Sequence, residues 1–337
     1  MKSFNNSTLK IVCGIIAAII VLLLVFFGMT KIEDYFIGKK DEEIIASVVT
    51  STSVTEEFVY HNGKKYTLKD SLNTLLLLGI DDFGKVQESI SYTNSRQADF
   101  LALLVFDSET DSCTLLQLNR DTMAEIQVLG VTGEKAGTIN GQLALAHTYG
   151  NGLESSCKNT SKAVSGLLYG IEINNYLSIN MDAVAALNDL VGGVEVEVLD
   201  DFSDVDASLK IGKNVVLSGE QALTYVRGRG NVGDQTNISR MQRQRQYMSA
   251  FALALKTAYL QNENIILEAY NAIVDYMITD CSITDLSETA EKLSSYTLSE
   301  IITPEGESVQ GDEFAEFHVD DAALKELVIN VFYEEVK

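Results

Sequence analysis

The chain begins with an uninterrupted apolar segment. Residues 11–29 contain no charged side chain, whereas Lys2 and Lys10 precede them and no acidic residue does. At about 1.5 Å per residue, a helix of this length just crosses a hydrocarbon core of roughly 30 Å. Basic residues on the short side of such a helix predict a cytoplasmic N-terminus. We therefore expect a cytoplasmic tail at 1–10, a transmembrane anchor at 11–29, and an extracytoplasmic remainder.

A cleaved signal peptide is the alternative interpretation of this segment. The apolar run is longer than the hydrophobic region of most signal peptides. The residues at its C-terminal end, Phe26-Phe27-Gly28-Met29-Thr30-Lys31, lack the small-x-small pattern of a cleavage site. We favour an anchor that stays in the membrane.

Beyond residue 70, short apolar runs alternate with helical patterns. Continuous apolar runs predict buried strands at 74–80, 100–106 and 113–118. Further strands are predicted at 194–198 and 223–226. Helices are predicted at 140–149, 161–169, 182–191, 218–222, 238–259, 265–277, 283–293 and 321–332. This alternation predicts an α/β (α+β) fold in which a mixed sheet is flanked by helices on both faces.

The domain organisation follows from where these patterns begin and end. Residues 30–70 mix charges with Ser and Thr without a clear period, and they predict an extracytoplasmic stalk with one short strand pair near 58–68. No linker separates a second folded unit. We therefore predict a catalytic domain at 71–260, with a C-terminal extension of helices and strands at 261–337 packed on the same domain.

Charge and cysteine content exclude several functions. The chain has 48 acidic against 25 basic residues, a net charge of −23, so no general basic field attracts a nucleic acid. Cys13 lies in the apolar segment, and the remaining Cys113, Cys157 and Cys281 form no CxxC pair. With only three histidines, widely scattered, we expect neither a zinc site nor a Cys/His nucleophile. We expect single buried cysteines.

Charged residues stand at corresponding ends of the three apolar runs. Asp81 follows the first run, Asp99 precedes the second, and Arg120 and Asp121 follow the third. In an antiparallel meander of three strands these positions share one edge of the sheet, and Arg96 joins them. Neighbouring strands pair in about two-thirds of cases. We call this set of five residues the rim.

More arginines follow in the second half of the chain. Arg227 and Arg229 alternate with small residues, so a strand would direct both to one side. The next helix carries four residues on one face; they are Arg240, Arg243, Gln244 and Tyr247. Arg245 lies off this face and is expected to be solvated.

These residue types favour phosphate chemistry. Converging guanidinium groups bind phosphate oxygens in pairs, which suits a diphosphate. Two facing carboxylates are what a hydrated Mg²⁺ or Mn²⁺ takes up beside substrate phosphates, and arginine and metal together stabilise phosphoryl transfer. The alternative is that each arginine forms a structural ion pair with an acidic residue.

Short motifs stand in a characteristic order behind the N-terminal anchor. They are Leu76-Leu-Leu-Gly-Ile-Asp81, Arg96-Gln-Ala-Asp99, Asn119-Arg-Asp-Thr122, Ile139-Asn140, Gly192-Gly-Val-Glu-Val196, Leu217-Ser-Gly-Glu-Gln-Ala-Leu223, Tyr225-Val-Arg-Gly-Arg229 and Arg240-Met-Gln-Arg-Gln244. Through the order of these motifs, residues 73–256 resemble the LytR–CpsA–Psr proteins of bacterial cell envelopes.

The resemblance implies an enzyme of the bacterial cell membrane. It would transfer a glycopolymer, of teichoic-acid or capsule type, from a polyprenyl-diphosphate carrier to peptidoglycan, using Mg²⁺ or Mn²⁺ and an apolar pocket for the lipid tail. Asp81 and Asp99 match the metal carboxylates. The residues that match the diphosphate-contacting arginines and a polar site residue are Arg96, Arg120, Arg227, Arg229, Arg240, Arg243 and Gln244.

Individual chemical roles are expected for three of the rim residues. We expect Arg120 and Arg96 to act in catalysis. Asp121 is a candidate general base by position, or else a buried partner of an arginine. A non-catalytic binding protein for the lipid diphosphate or wall polymer, or a hydrolase that uses water as acceptor, would carry the same site.

Three departures from the family pattern affect these expectations. The usual Arg-Ser-Asp is one residue longer here, Arg96-Gln-Ala-Asp99. Asn119 replaces the proline that usually precedes the Arg-Asp pair. The usual Asp-x-Gly-Arg before the last helix is replaced by Thr236-Asn-Ile-Ser-Arg240.

Overall fold

The computed structural model describes residues 58–336 except 263, 283–284, 286–287, 290–291, 293–294 and 313. The predicted tail, the predicted anchor and most of the predicted stalk lie outside the described residues, as does much of the helix predicted at 283–293. Within the described part, no helix is both long enough and apolar enough to cross a membrane.

A six-stranded mixed sheet forms the centre of the fold. Strands β3 (Leu72–Ile80), β4 (Ala98–Asp107) and β5 (Ser112–Leu118) form the predicted antiparallel meander. β8 (Asn175–Asn180) runs parallel to β3, and β12 (Thr297–Ile302) runs parallel to β5. β11 (Met277–Thr279) pairs antiparallel with β8 and completes the order β11-β8-β3-β4-β5-β12.

The continuous apolar runs are explained by burial on both faces of this sheet. Leu75 and Leu77 belong to one core cluster, and Leu76 and Leu78 belong to the other, since successive side chains of a strand point to opposite faces. All four are at most 4% exposed. A strand covered on both faces has no polar side, which is why its sequence does not alternate.

Helices cover both faces, which confirms the predicted mixed α/β class. On the first face lie α2 (Met181–Leu190), α3 (Gly219–Arg227), α4 (Asn237–Gln261) and α5 (Ile265–Ile273). On the second lie α1 (Glu154–Leu167), α6 (Asp321–Phe332) and a 3-10 turn, Leu143–Thr148.

Smaller sheets surround this core. They are β1 (Val59–His61) with β2 (Lys64–Leu68) and β15 (Tyr333–Glu335), β6 (Met123–Leu129) with β7 (Lys135–Gln142), β9 (Val194–Glu197) with β10 (Asn214–Leu217), and β13 (Gly306–Gln310) with β14 (Ala315–Val319). The C-terminal residues Leu324, Val328 and Phe332 are buried in the second core cluster. The predicted domain boundaries stay predictions.

Two of the predicted elements were wrong. Residues 223–226 continue a helix rather than forming a strand, because Ser218 and Gln221 form a capping box and Ala222 and Tyr225 bury one helical face completely. The helix predicted at 140–149 starts inside β7 and is a 3-10 turn only from Leu143. The β6–β7 hairpin was not predicted.

Candidate functional site

The meander brings together rim residues that stand far apart in the sequence. Arg120, just after β5, forms an ion pair with the Asp99 carboxylate and donates to Gln97 Oε1 at 2.6 Å. Its Nε lies 3.2 Å from Asp121 Oδ1 but makes no hydrogen bond with any described residue. The predicted gathering of Asp99, Arg120 and Asp121 at one edge is confirmed.

Helix α4 adds a second arginine to the same carboxylate. Arg240 Nη1 lies 3.1 Å from Asp99 Oδ2, and its Nε donates to Asn237 Oδ1 at 2.9 Å. Burial lowers the pKa of Arg240 to about 10; Asp99 opposes this shift, whereas nearby Arg120 adds to it. Arg240 therefore remains protonated at neutral pH. The Arg120 and Arg240 guanidinium groups share the single buried carboxylate of Asp99. The three groups together therefore keep a net positive charge that can bind an anion.

Asp121 is the second buried carboxylate of the rim. It accepts a hydrogen bond from Gln142 Nε2 at 2.8 Å and lies 3.0 Å from Arg229 Nη2. Its side chain is only 3% exposed. Both oxygens are engaged, so this geometry favours the role of an arginine partner that orients Arg229, and a role as general base stays a prediction.

Arg227 and Asp81 form the outer part of the site. Arg227 is the last residue of α3, and its Nη2 lies 2.9 Å from Asp81 Oδ1. The arginine side chain is 47% exposed, and its guanidinium carbon stands 5.6 Å from the centre of the Phe83 ring. The strand that would direct both arginines to one side is absent here, because Arg227 ends a helix. Arg227 and Arg229 nevertheless both contact rim carboxylates.

Arg96 turns away from the other rim residues. Its Nε lies 2.8 Å from Asp82 Oδ2, and Nη1 donates to the carbonyl of Gln87 at 2.6 Å. A β-carbon at Gly152 would collide with this guanidinium, so the glycine makes room for it. The catalytic role of Arg96 stays a prediction, and the described contacts give it no link to Asp99 or Arg120.

The extra residue in Arg96-Gln-Ala-Asp99 explains this placement. In extended chain, residues two apart share a side, whereas residues three apart lie on opposite sides. Gln97 is two residues before Asp99, and it is Gln97 that contacts Arg120. Sequence reasoning missed Gln97, although this period of two was the signal that could have found it.

Arg243 is completely buried, and its described partners are not rim residues. It forms an ion pair with Asp200, and its Nε donates to the carbonyl of Tyr225 at 2.9 Å. It also donates to the carbonyl of Gly228, just beyond the end of α3. These contacts hold the segment that carries Arg227 and Arg229. The predicted direct contact of Arg243 with a diphosphate stays untested.

An apolar cavity of about 160 Å³ opens beside the arginine cluster, which is the set Arg120, Arg227, Arg229 and Arg240; of these four, Arg227 lines the cavity. It lies between the sheet and helices α2, α4 and α5, and its apolar lining includes Leu77, Phe100, Val184, Met248, Phe251 and Tyr270. The polar residues that line it include Asp99, Arg227 and Gln244. The cavity therefore meets the rim at Asp99, the partner of Arg120.

Asp81 and Asp99 fit the chemistry of a magnesium site that shares its ligands with a substrate. Among the residues described, no group of three or more His, Cys, Asp or Glu could hold a metal ion. Mg²⁺ commonly takes only one or two carboxylates and completes its shell with water and phosphate oxygens. Arg227 pairs with Asp81, and Arg120 and Arg240 pair with the two oxygens of Asp99, so a bound ion would have to share these carboxylates with all three arginines.

A sequence model of the LytR_cpsA_psr family matches residues 39–328. The chain belongs to the LytR–CpsA–Psr family. This confirms the resemblance seen in the sequence motifs. Among relatives in this family, the polyisoprenyl-teichoic acid–peptidoglycan teichoic acid transferase TagU of Enterococcus faecalis is 32% identical over 219 residues, 64% of each chain. TagV of Bacillus subtilis, a transferase of the same description, is 27% identical over 244 residues, 70% of this chain and 52% of TagV.

The chain spans about half to just under two-thirds of the length of these relatives. Solved structures show the same fold. Protein gbs0355 from Streptococcus agalactiae superposes with a TM-score of 0.60 at 20% identity, covering 79% of this chain and 91% of that one. TagT bound to LI-WTA superposes with a TM-score of 0.56 at 21% identity, covering 78% and 90%.

Proposed function

We propose that this LytR–CpsA–Psr protein is a membrane-anchored, extracytoplasmic phosphotransferase. It transfers a glycopolymer from a polyprenyl-diphosphate carrier to peptidoglycan. The names of the relatives favour a teichoic acid over a capsule polymer as the transferred chain. The observation that carries this proposal is the position of an arginine cluster at the mouth of an apolar cavity.

The two parts of this site match the two parts of the donor. The apolar cavity takes the first isoprenyl units of the lipid, because burying their carbon surface stabilises binding by about 25 cal/mol per Å². The diphosphate then lies among four arginines that face only three aspartates. The four are Arg120, Arg227, Arg229 and Arg240.

The transfer step breaks one bond to phosphorus and forms another. The oxygen of the acceptor hydroxyl bonds to the phosphorus next to the glycan, the bond from that phosphorus to polyprenyl phosphate breaks, and the hydroxyl proton is released. Arg120 has a buried Nε without a hydrogen-bond partner among the described residues, which supports assigning it to the developing charge on phosphate oxygens. A Mg²⁺ or Mn²⁺ ion held by Asp81 and Asp99 would neutralise further charge on those oxygens.

The predicted membrane anchor fits this substrate. A polyprenyl diphosphate is confined to the bilayer, so an enzyme tethered to the same bilayer meets it at a raised effective concentration. In this proposal, the predicted stalk sets the height of the arginine cluster above the headgroups.

The full chain in detergent, supplied with lipid-linked polymer and peptidoglycan, tests the proposal. We expect a polymer–peptidoglycan conjugate, suppressed by EDTA. Arg120→Ala should slow its formation by about 100-fold or more, as loss of a transition-state donor does. Lys210→Ala, an exposed charge outside the site, is the control, and the unfolding free energy of each variant is measured alongside.

Each alternative function gives a different product. Free polymer in place of conjugate would identify a hydrolase. Tight binding of the lipid diphosphate without any product would identify a binding protein. Undiminished transfer by a folded Arg120→Ala variant would contradict the catalytic assignment of that arginine.

A further inference from the structure

A second cavity, of about 710 Å³, lies on the other side of helix α4. Arg240 and Gln244 on this helix belong to the first site, whereas Ile238, Met241 and Arg245 line the second cavity. Residues at spacings of three and seven share one face of a helix, so the first turns of α4 form a wall between the two sites. Volumes of about 300–1,000 Å³ are typical of small-molecule sites.

Two buried polar groups at this cavity have no hydrogen-bond partner in the part of the chain that the structure describes. Arg245 Nε and Thr303 Oγ1 make no hydrogen bond with any described residue. The six other arginines of the chain each form an ion pair with a described aspartate, whereas Arg245 forms none. Arg245 is half-buried, whereas the sequence had predicted that it is solvated. Burial lowers the pKa of this side chain. An unpaired buried donor costs about 1–3 kcal/mol, so these two groups favour a hydrogen-bonding ligand.

The remaining lining indicates the chemical class of that ligand. Phe317 and Met241 are buried and, with Ile238, supply apolar surface. Carboxylates at the cavity edge supply acceptors; they are Glu305, Glu307 and Asp320. These acids repel a polyanion such as the phosphate-bearing polymer. Apolar surface together with both donors and acceptors suits an uncharged ring with several hydroxyl or amide groups, as in an N-acetylated sugar.

The second cavity is joined to the arginine cluster by short connections. Asn119 lines the cavity and directly precedes Arg120. Asn119 Oδ1 accepts from Asn237 Nδ2 at 2.6 Å, and Asn237 in turn accepts from Arg240 Nε. On the opposite wall, the amide of Phe317 donates to the carbonyl of Asp121 at 2.8 Å.

We propose that the second cavity binds an uncharged N-acetylated sugar unit of the acceptor glycan. The role of this sugar as an acceptor rests on the proposed transferase function. Binding of the sugar itself is tested without any donor. In this arrangement donor and acceptor approach the Arg120 segment from opposite faces of α4. Arg245 and Thr303 supply donors to the sugar, and the edge carboxylates accept from its hydroxyl groups.

Binding of chitotetraose, a neutral N-acetylglucosamine tetramer, to the full chain in detergent tests this site by calorimetric titration. We expect saturable binding that Arg245→Met weakens at least about 10-fold, the effect of about 1.4 kcal/mol. Glu307→Gln, at an exposed position where the fold is not at risk, should weaken it several-fold. Arg227→Ala, at the donor site, should leave chitotetraose binding unchanged and serves as the matched control.

The outcomes separate this inference from the proposed function. Absence of saturable binding, or equal binding by wild type, Arg245→Met and Glu307→Gln, would overturn the sugar site even if transfer proceeds. Tighter binding of a hyaluronan tetrasaccharide, in which glucuronate replaces every second N-acetylglucosamine, would overturn its preference for uncharged sugar. Chitotetraose binding through Arg245 without any transfer would contradict the transferase and leave the sugar site standing.

Discussion

Arg240 and Asp99 form an ion pair of 3.1 Å although 141 positions separate them in the sequence. The arginine comes from the first turns of α4 and the aspartate from the start of β4. Both side chains are nearly inaccessible to water, at 3% and 9% exposure. This contact therefore fixes helix to sheet at the point where the apolar cavity opens.

Arg240→Met is expected to destabilise the fold. It leaves Asp99 with Arg120 as its remaining arginine partner and removes the donor to Asn237. Breaking a buried pair from one side costs about 3–5 kcal/mol, and the remaining arginine reduces that here to roughly 2–4 kcal/mol. Urea unfolding of the full chain measures it. Asp99→Asn should cost less in the Arg240→Met chain than in the wild-type chain, and strictly additive losses would contradict the coupling.

Arg227→Ala should separate binding from stability. Its ion pair with Asp81 is half-exposed, and such pairs contribute about 0–1 kcal/mol. The unfolding free energy should change little, whereas the dissociation constant for a soluble farnesyl diphosphate should rise about 10-fold or more, as expected for a lost charge-assisted hydrogen bond. Lys210→Ala should alter neither quantity. An unchanged affinity would remove Arg227 from the donor site.

Arg243→Lys tests whether the buried arginine acts through shape rather than charge. The Arg243 guanidinium donates to Asp200 and to the carbonyls of Tyr225 and Gly228 from three different nitrogens. One ammonium group cannot reproduce these three contacts. We expect a loss of about 2–4 kcal/mol in unfolding free energy, the range for a broken buried network. Arg245→Lys, where no such network exists among the described residues, should cost less than about 1 kcal/mol. Equal losses would argue against the network.

His147 predicts a dependence of stability on pH. Burial lowers its pKa to about 4 from an ordinary value of 6.5, and its Nδ1 donates to the carbonyl of Arg96 at 2.7 Å. Between these two values the unfolded chain binds a proton that the folded chain does not. The unfolding free energy therefore falls as pH drops from about 6.5 to 4, by up to about 3 kcal/mol.

Chemical unfolding of the full chain at pH 7 and pH 4.5 measures this effect. His147→Gln should lose less stability over that interval than wild type, because the titrating group is gone. His61→Gln, in the β1–β2 hairpin, should retain the wild-type difference. The same pH difference in wild type and His147→Gln would assign the effect to other groups.

Filling the apolar cavity should weaken lipid binding in proportion to tail length. Val184 lines the cavity and is only partly buried, so Val184→Phe adds volume to a space of about 160 Å³. We expect weaker binding of geranylgeranyl diphosphate and almost unchanged binding of inorganic diphosphate. Leu199→Phe, at an exposed position, is the control. Equal weakening of both ligands would place the tail elsewhere.

Much of the fold could be predicted from the sequence because its signals are local. Continuous apolar runs predicted β3, β4 and β5, since strands buried on both faces have no polar side. Their order along the chain then predicted which charged residues share one edge. The strand predicted at 223–226 was wrong because a short apolar segment does not distinguish strand from helix without the capping box that precedes it.

The amino-acid sequence alone determined the family, the meander, and the set of arginines and aspartates that meet at its edge. Tertiary structure decided which of them touch. Arg96 and Arg243 could not be told from Arg120 and Arg240 by residue type, because each pairing depends on the direction of a side chain in a packed environment. The second cavity could not be predicted for the same reason. Arg245 and Thr303 lack partners among the described residues only because α4 and the segment before β13 bury them.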